Sequence, residues 1–377
     1  VRILAGLGLL VWVWLALLRG MFWRTDVRLP ATASTPPAGW PSVAVVVPAR
    51  DEATVLGDTV PTLVARDYPG PTRLILVDDN SADGTGALVA ARWPGVTVVD
   101  PGEPEPGWAG KLWALRAGVA EAGGVDYLLF TDADIAHPAD SLSTLVSAAE
   151  AGGLDLVSLM ARLRVRTGWE RLVVPAFVYF FAMLFPFRWS NRPGSRTAAA
   201  AGGCVLVRRA ALERAGGLAA IRGAVIDDVA LAGALRRSGA RTFLGLADGV
   251  RSVRAYPTLG SLWRMVARSA YAQLRHNPAL LAGTVLGLLL VFVVPPLSTV
   301  VGAVTGDPVL FALGALTWVL MAATYVPMLR YHGQPWPAAF LLPFTACLYL
   351  AMTVDSALRH YRGAGAAWKG RTYPAPR

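Results

Sequence analysis

The sequence predicts an α/β protein built on a mostly parallel sheet, with helical transmembrane segments at both ends, and three observations carry that expectation. Apolar, β-branched runs such as Val43-Ala-Val-Val-Val47, Leu74-Ile-Leu-Val77 and Tyr127-Leu-Leu-Phe130 fit strands buried on both faces. Stretches of helical spacing separate these runs, and strands alternating with helices make a parallel sheet. The 377 residues are 54% hydrophobic and only 16% charged, too apolar for a wholly water-soluble chain.

Ile3 to Leu18 is an apolar run with Trp12 and Trp14, followed by Arg19 and Arg24. It has one basic residue before it and no clean small-residue cleavage site after it, so it reads as a membrane anchor (residues 1–22) rather than a signal peptide. It is slightly short of the roughly 20 residues of a span. The basic residues that follow place the next domain in the cytoplasm. Residues 23–41, rich in Pro, Ala and Thr, make a linker. The sheet domain is expected over residues 42–275. Its strands end in polar tips: Ala49-Arg-Asp-Glu52 after the first, Asp78-Asp-Asn-Ser81 after the second and Thr131-Asp-Ala-Asp134 after the central one. Parallel strands would bring these tips to one edge, where open α/β sheets place their ligands.

The central tip is the most informative. Carboxylates at i and i+2 of extended chain share a side, so Asp132 and Asp134 can reach one divalent cation together with substrate phosphates. The same pair also suits a turn closed by local hydrogen bonds. Gly84-x-Gly86 lacks the third glycine of a dinucleotide fingerprint, and Gly110-Lys111 lacks the flanking residues of a P-loop. His137, His276, His332 and His360 are scattered and read as surface or interfacial residues rather than ligands. Cys204 and Cys347 form no disulfide framework, and Cys204 reads as a small packing residue. A net charge of +10 without zinc-finger spacing or a basic helix interleaved with aromatics speaks against nucleic acid, and suits anionic lipid and a phosphorylated substrate.

Val45-Val-Val-Pro-Ala-Arg-Asp-Glu52, Val77-Asp-Asp-Asn-Ser-Ala-Asp-Gly-Thr85, Gly110-Lys111, Thr131-Asp-Ala-Asp134 and Ile226-Asp-Asp-Val-Ala-Leu231 occur in one order. Together they resemble the inverting family-2 glycosyltransferases of the GT-A (Rossmann-like) fold. With spans at both ends, the layout looks most like the hopanoid-associated membrane glycosyltransferases. The resemblance implies that Pro48, Arg50 and Glu52 line a pocket for a UDP- or GDP-linked sugar, with Asp79 on the base. It implies that Asp132 holds the ribose or the metal, and Asp134 a Mg²⁺ or Mn²⁺ ion bridging the diphosphate. Lys111, at a helix start, either adds to that positive field or is an ordinary solvated lysine. Gly203 and Asp227 fall near the family's acceptor site. Asp228 falls on the acid that takes the acceptor's proton, unless Asp227 or Asp228 merely caps a helix. Asp227 stands where most relatives carry Glu. Arg268 matches the arginine of the Gln/Arg-x-x-Arg-Trp motif and could pair with the leaving phosphate; Met265 and Ser269 replace its flanking residues, which argues for a single transfer.

Leu172 to Trp189 packs aromatics between arginines and reads as an interfacial helix at the bilayer rather than a core helix, implying a lipid acceptor. Ala279 to Val304, Pro308 to Leu329 and Pro337 to Leu358 are each long enough to cross a bilayer, giving a membrane domain over 276–360 and a basic tail over 361–377. Three crossings would put that tail outside, against the positive-inside tendency. A re-entrant break at Pro295-Pro296 would return it to the cytoplasm, as would suit the Trp368-Lys-Gly-Arg-x-Tyr373 segment also found in related lipid glycosyltransferases. The expected protein is a cytoplasm-facing enzyme of the cell membrane moving a sugar to a lipid. A processive polysaccharide synthase and a non-catalytic scaffold are the alternatives.

Overall fold

A computed structural model describes residues 1–29, 36–37, 39–363, 367–368 and 371–372. The chain divides into a sheet unit, Val27–Arg164 and Trp189–Ala255 with the carboxyl-terminal residues, and a helical unit, Val1–Asp26, Val165–Arg188 and Tyr256–Ala366. Residues 165–188 and 256–275 thus group with the helices, although the sequence assigns them to the sheet domain.

The sheet unit holds strands β1 (Val43–Ala49), β2 (Thr72–Asp78), β3 (Thr97–Val99), β4 (Tyr127–Thr131), β5 (Ile135–Ala136), β6 (Leu156–Arg162), β7 (Cys204–Arg208) and β8 (Thr242–Ser252). They lie in the order β3-β2-β1-β4-β7-β6-β8-β5. β1 is parallel to β2 and β4, β2 to β3 and β6 to β8, while β7 runs antiparallel to β4 and β6, and β5 antiparallel to β8. The reversal at β7 matters for function. It brings the start of β7 to the same edge as the ends of β1, β2 and β4.

Alternate residues of the strands feed separate cores. Val43, Val45, Val47, Leu74, Leu76, Tyr127 and Leu129 belong to one, and Ala44, Val46, Ile75, Val77, Leu128 and Phe130 to the other. Both residue parities are therefore apolar, which is why these strands read as continuous runs rather than alternating ones. The helix Gly110–Glu121 closes the second core with Leu112 and Leu115. It lies so near the sheet that a Cβ on Gly118 would collide with Val46 Cγ1 and sit 3.0 Å from Val77 Cγ2. Replacing Gly118 with Val should cost about 1–3 kcal/mol by overpacking, read as a lowered thermal midpoint in detergent. An unchanged midpoint would show that the helix can stand off without loss.

In the helical unit, Pro278–Thr305, Pro308–Tyr331 and Trp336–Tyr361 are long and apolar enough to cross a membrane, within three residues of the expected spans. The amino-terminal helix Arg2–Leu18 has 17 residues, shorter than the roughly 20 that a span needs. It buries Ala5, Gly8, Trp12, Leu15 and Ala16, a stripe at helical spacing, and leaves Ile3, Leu10 and Leu17 exposed. The expected re-entrant break at Pro295-Pro296 is not there. The rod runs on because its backbone widens into a π turn, Leu289–Val293, just before the prolines. Pro295 has no N–H for the carbonyl four residues back, Val291, and the indole of fully buried Trp12 donates to that oxygen instead at 2.6 Å. Further on, Cβ atoms at Gly302 or Gly314 would strike the backbone of the facing helix, so these glycines set a close helix pair.

The aromatic segment forms the helix Gly168–Leu184, opened by a capping box of Thr167 and Glu170. Its Tyr179 is fully buried, bonded through its hydroxyl to Thr324 Oγ1 at 2.8 Å and set edge-on to Tyr325. Tyr349 donates to the carbonyl of Val173 at 3.0 Å. Much of the stripe read as lipid-facing is thus packed against the candidate spans. The tail segment Trp368 to Tyr373 and its expected cytoplasmic side fall largely outside the described residues.

Candidate active site

The carboxyl edge of the sheet gathers the charges. Asp132 follows β4, and Gly202 and Gly203 precede β7, which is paired to β4 through Thr131 and Cys204. Lys111 lies in the first turn of its helix, and Asp227 and Asp228 open the helix Asp227–Arg237. Lys111 Nζ sits 2.8 Å from Asp132 Oδ1 and 3.1 Å from Asp227 Oδ2. A solvated lysine it is not: its side chain is 17% exposed. Burial pulls its pKa down, but the charges of Asp132, Asp227 and Asp228 outweigh that and raise it. A small cleft runs from Pro48 through Lys111, Asp132 and Gly202 to Asp227 and Asp228, floored by Leu112, Phe130 and Leu231.

Asp228 is not the N-cap residue, a position that Ile226 holds without a side-chain bond, although it does meet a first-turn amide of its helix. Its Oδ2 accepts the N–H of Gly202 at 2.7 Å and its Oδ1 that of Val229 at 2.8 Å. Burial, and then the charge of Asp227, push its pKa up to about 6 against the pull of Lys111. Gly202 is the glycine that abuts this group: a Cβ there would lie 3.2 Å from Lys111 Nζ and 3.3 Å from Asp228 Oδ2. Gly203 instead backs onto Ile135, its carbonyl accepting from Thr131 Oγ1 at 2.8 Å.

Asp132 and Asp134 are not on one face of a strand. Thr131 ends β4, and Asp132 to Asp134 form a turn in which Ile135 N–H donates to Asp132 O at 3.1 Å. The two carboxylates therefore have different partners. Asp132 faces Lys111 with about a third of its side chain exposed, and burial raises its pKa although Lys111 opposes this. Asp134 is nearly buried; its Oδ2 accepts from Ser252 Oγ at 2.7 Å and from Arg254 Nε at 3.1 Å. Arg254 continues to Glu52, its Nη2 lying 2.7 Å from both carboxylate oxygens. Arg254 thus joins two sequence-predicted residues, and sequence reasoning did not single it out.

The second polar tip is mostly scaffold. Asp78 accepts from Ser81 and, at 3.0 Å, from Gly86 N–H, and Asp83 accepts from Ala53 N–H at 2.9 Å. Arg50 Nη1 reaches Asp79 through its carbonyl at 2.6 Å and its fully buried carboxylate at 3.4 Å. His137, expected at the surface or an interface, is buried in the sheet unit, bonded to Thr131 Oγ1 at 2.8 Å and Ser141 Oγ at 3.1 Å. His332 is also buried, in the helical unit. Burial lowers the His137 pKa to about 4. The unfolded chain then binds the extra proton below the ordinary histidine value near 6.5, so this group's stabilisation is lost as pH falls from about 6.5 toward 4. Urea unfolding of His137→Gln should depend less on pH in that window than the parent; equal dependence would exonerate His137. Arg268 belongs to the helical unit, exposed after the helix Leu259–Ala267.

Residues 44–216 match the family model described as Glycosyl transferase family 2. They form a family-2 glycosyltransferase domain. The chain is 31% identical over 164 residues to an N-acetylglucosaminyltransferase of Mesorhizobium japonicum, 41% of this chain and 37% of that protein. It is 37% identical over 122 residues to a beta-monoglucosyldiacylglycerol synthase of Synechocystis sp., 31% of this chain and 24% of that one. It thus spans well under two thirds of these relatives. The fold is that of the mannosyltransferase PcManGT from Pyrobaculum calidifontis, solved in complex with GDP-Man and Mn²⁺: TM-score 0.55 at 21% identity, covering 96% of this chain and 98% of that one. The glycosyltransferase domain therefore has the GT-A architecture, and its carboxyl edge is the natural place for the site.

A divalent cation fits the chemistry of that edge. Lys111 pairs with Asp132 and Asp227 and feels the charge of Asp228, and Arg254 pairs with Asp134 and Glu52, so the edge is rich in the carboxylate oxygens that hard cations take. Among the described residues no group of three or more His, Cys, Asp or Glu is placed to hold a metal alone. Water and phosphate oxygens would have to complete the coordination, as is usual for Mg²⁺.

Proposed function

We propose that the protein transfers a sugar from a nucleotide sugar to a membrane lipid, with inversion and one sugar per encounter. The observation that carries this is Asp228, a carboxylate of raised pKa held by the Gly202 amide at the mouth of a cleft whose other wall is Lys111 and Asp132. A base near pKa 6 is ionised at neutral pH yet still accepts a proton readily. Asp228 takes the proton of the acceptor hydroxyl, the oxygen attacks the anomeric carbon, and the bond to the diphosphate breaks on the opposite face. Arg50, Asp79 and Pro48 bind the nucleoside, and Lys111 orders Asp132 and Asp227 around the reacting groups. A divalent cation on Asp132 and Asp134, when bound, supplies positive charge to the departing diphosphate.

The lipid acceptor is supported by the three apolar helices and by the lipid product named in the Synechocystis relative; a hopanoid is one such acceptor. The cytoplasmic face is supported by the arginines that follow the first apolar helix. The test uses protein in detergent with Mn²⁺, screened with UDP- and GDP-sugars against a lipid extract. A new glycolipid with one added sugar is expected. A growing polymer would favour the processive alternative, and no turnover or donor binding by folded protein would favour a scaffold.

A further inference from the structure

We propose that Arg254 is a positioning residue that withholds Asp134 from free divalent cation until a nucleoside diphosphate competes for its guanidinium, so that metal and nucleotide load together. The inference rests on the reading of Asp132 and Asp134 as the cation's ligands. Each of these carboxylates already carries an internal cation: Lys111 on Asp132 at 2.8 Å and Arg254 on Asp134 at 3.1 Å. Asp134 is the more firmly closed, because Ser252 donates to the same Oδ2 and the side chain is only 13% exposed. Arg254 is anchored on its far side by both oxygens of Glu52, whose side chain is 9% exposed. A free divalent ion approaching Asp134 must displace or sit beside a fixed positive charge, in surroundings that screen poorly. A diphosphate changes the balance, since it offers a guanidinium the same paired oxygens that a carboxylate does.

The experiment measures Mn²⁺ binding to the full chain in detergent, by the electron-paramagnetic-resonance signal of free Mn²⁺, with metal alone and with saturating UDP or GDP. Arg254→Met should bind Mn²⁺ alone at least tenfold more tightly than the parent, while binding the nucleoside diphosphate more weakly in the presence of metal. Arg254→Lys, which keeps the charge and loses the fork, should fall between. A residue that merely supports the fold would loosen Mn²⁺ on removal, not tighten it. Should Arg254→Met fail to fold, Lys111→Met makes the same test at Asp132, with the same expected tightening. Equal or weaker Mn²⁺ binding in the folded variants overturns the proposal, as does tight Mn²⁺ binding by the parent without nucleotide. If Asp132→Asn and Asp134→Asn leave Mn²⁺ binding unchanged, the ligand reading itself falls and takes the inference with it.

Discussion

Asp228→Asn should lower transfer by about 10²–10⁴-fold while leaving donor binding intact. The amide keeps the size of the carboxylate and an oxygen to accept the Gly202 N–H, but its NH2 then faces the Val229 N–H that Oδ1 accepts in the parent, so unchanged donor affinity is what separates lost proton acceptance from lost geometry. The parent's rate should also fall on the acid side with a midpoint near 6, since that is where Asp228 gains its proton. Stability should move the other way. The folded state raises the pKa of this group by burial and by Asp227, so it binds the proton more tightly than the unfolded chain does. That contribution is fully present below the ordinary carboxylate value and is lost as pH rises through about 6. The Asn variant escapes the cost of the buried charge but loses the Val229 bond and the attraction of Lys111, so its melting midpoint should gain on the parent's as pH rises from about 4 to 8. Retained transfer with an unmoved acid limb would remove Asp228 from the reaction.

The alternation of apolar strands and helices was readable because both parities of β1, β2 and β4 face a core, and their runs are short, mostly β-branched or aliphatic, and separated by stretches of helical spacing. The site was readable where residues follow those strands: Arg50, Asp79 and Asp132 occupy the positions that a parallel sheet brings together. What escaped was long-range. β8 contains Gly245, Asp248 and Gly249, so it has no apolar run, and nothing local announces that its end brings Ser252 and Arg254 to Asp134 across more than a hundred residues. An arginine just past a strand's carboxyl end was the available signal. The strand argument for Asp132 and Asp134 failed for a related reason. Period-two geometry holds only while the backbone stays extended, and β4 stops at Thr131. The proline pair at 295 and 296 misled because a π turn and the Trp12 indole, from the other end of the chain, repair what the prolines remove locally.

Substituting the two central carboxylates separately should give two different kinds of loss. Asp132→Asn is expected to lower turnover by about 10²–10³-fold, the scale of losing several kcal/mol of charge stabilisation at the leaving group. Its stability should change little: the side chain is about a third exposed, its charge is held unfavourably by burial, and Lys111 keeps Asp227 as a partner. Asp134→Asn should lower turnover at least as much and also destabilise the fold. The nearly buried carboxylate holds Arg254 together with Glu52, and a weakened partner leaves that guanidinium less well compensated. Because Glu52 still accepts Arg254 Nη2 with both oxygens, the cost should be about 1–3 kcal/mol rather than the full penalty of orphaning a buried charge. Parallel measurement of donor turnover and thermal midpoints separates the two. If both variants lose stability equally and activity only in proportion, the pair is a structural turn; if only Asp134→Asn unfolds early while both lose turnover, each carboxylate serves the reaction and one also fastens β8 to the sheet's working edge.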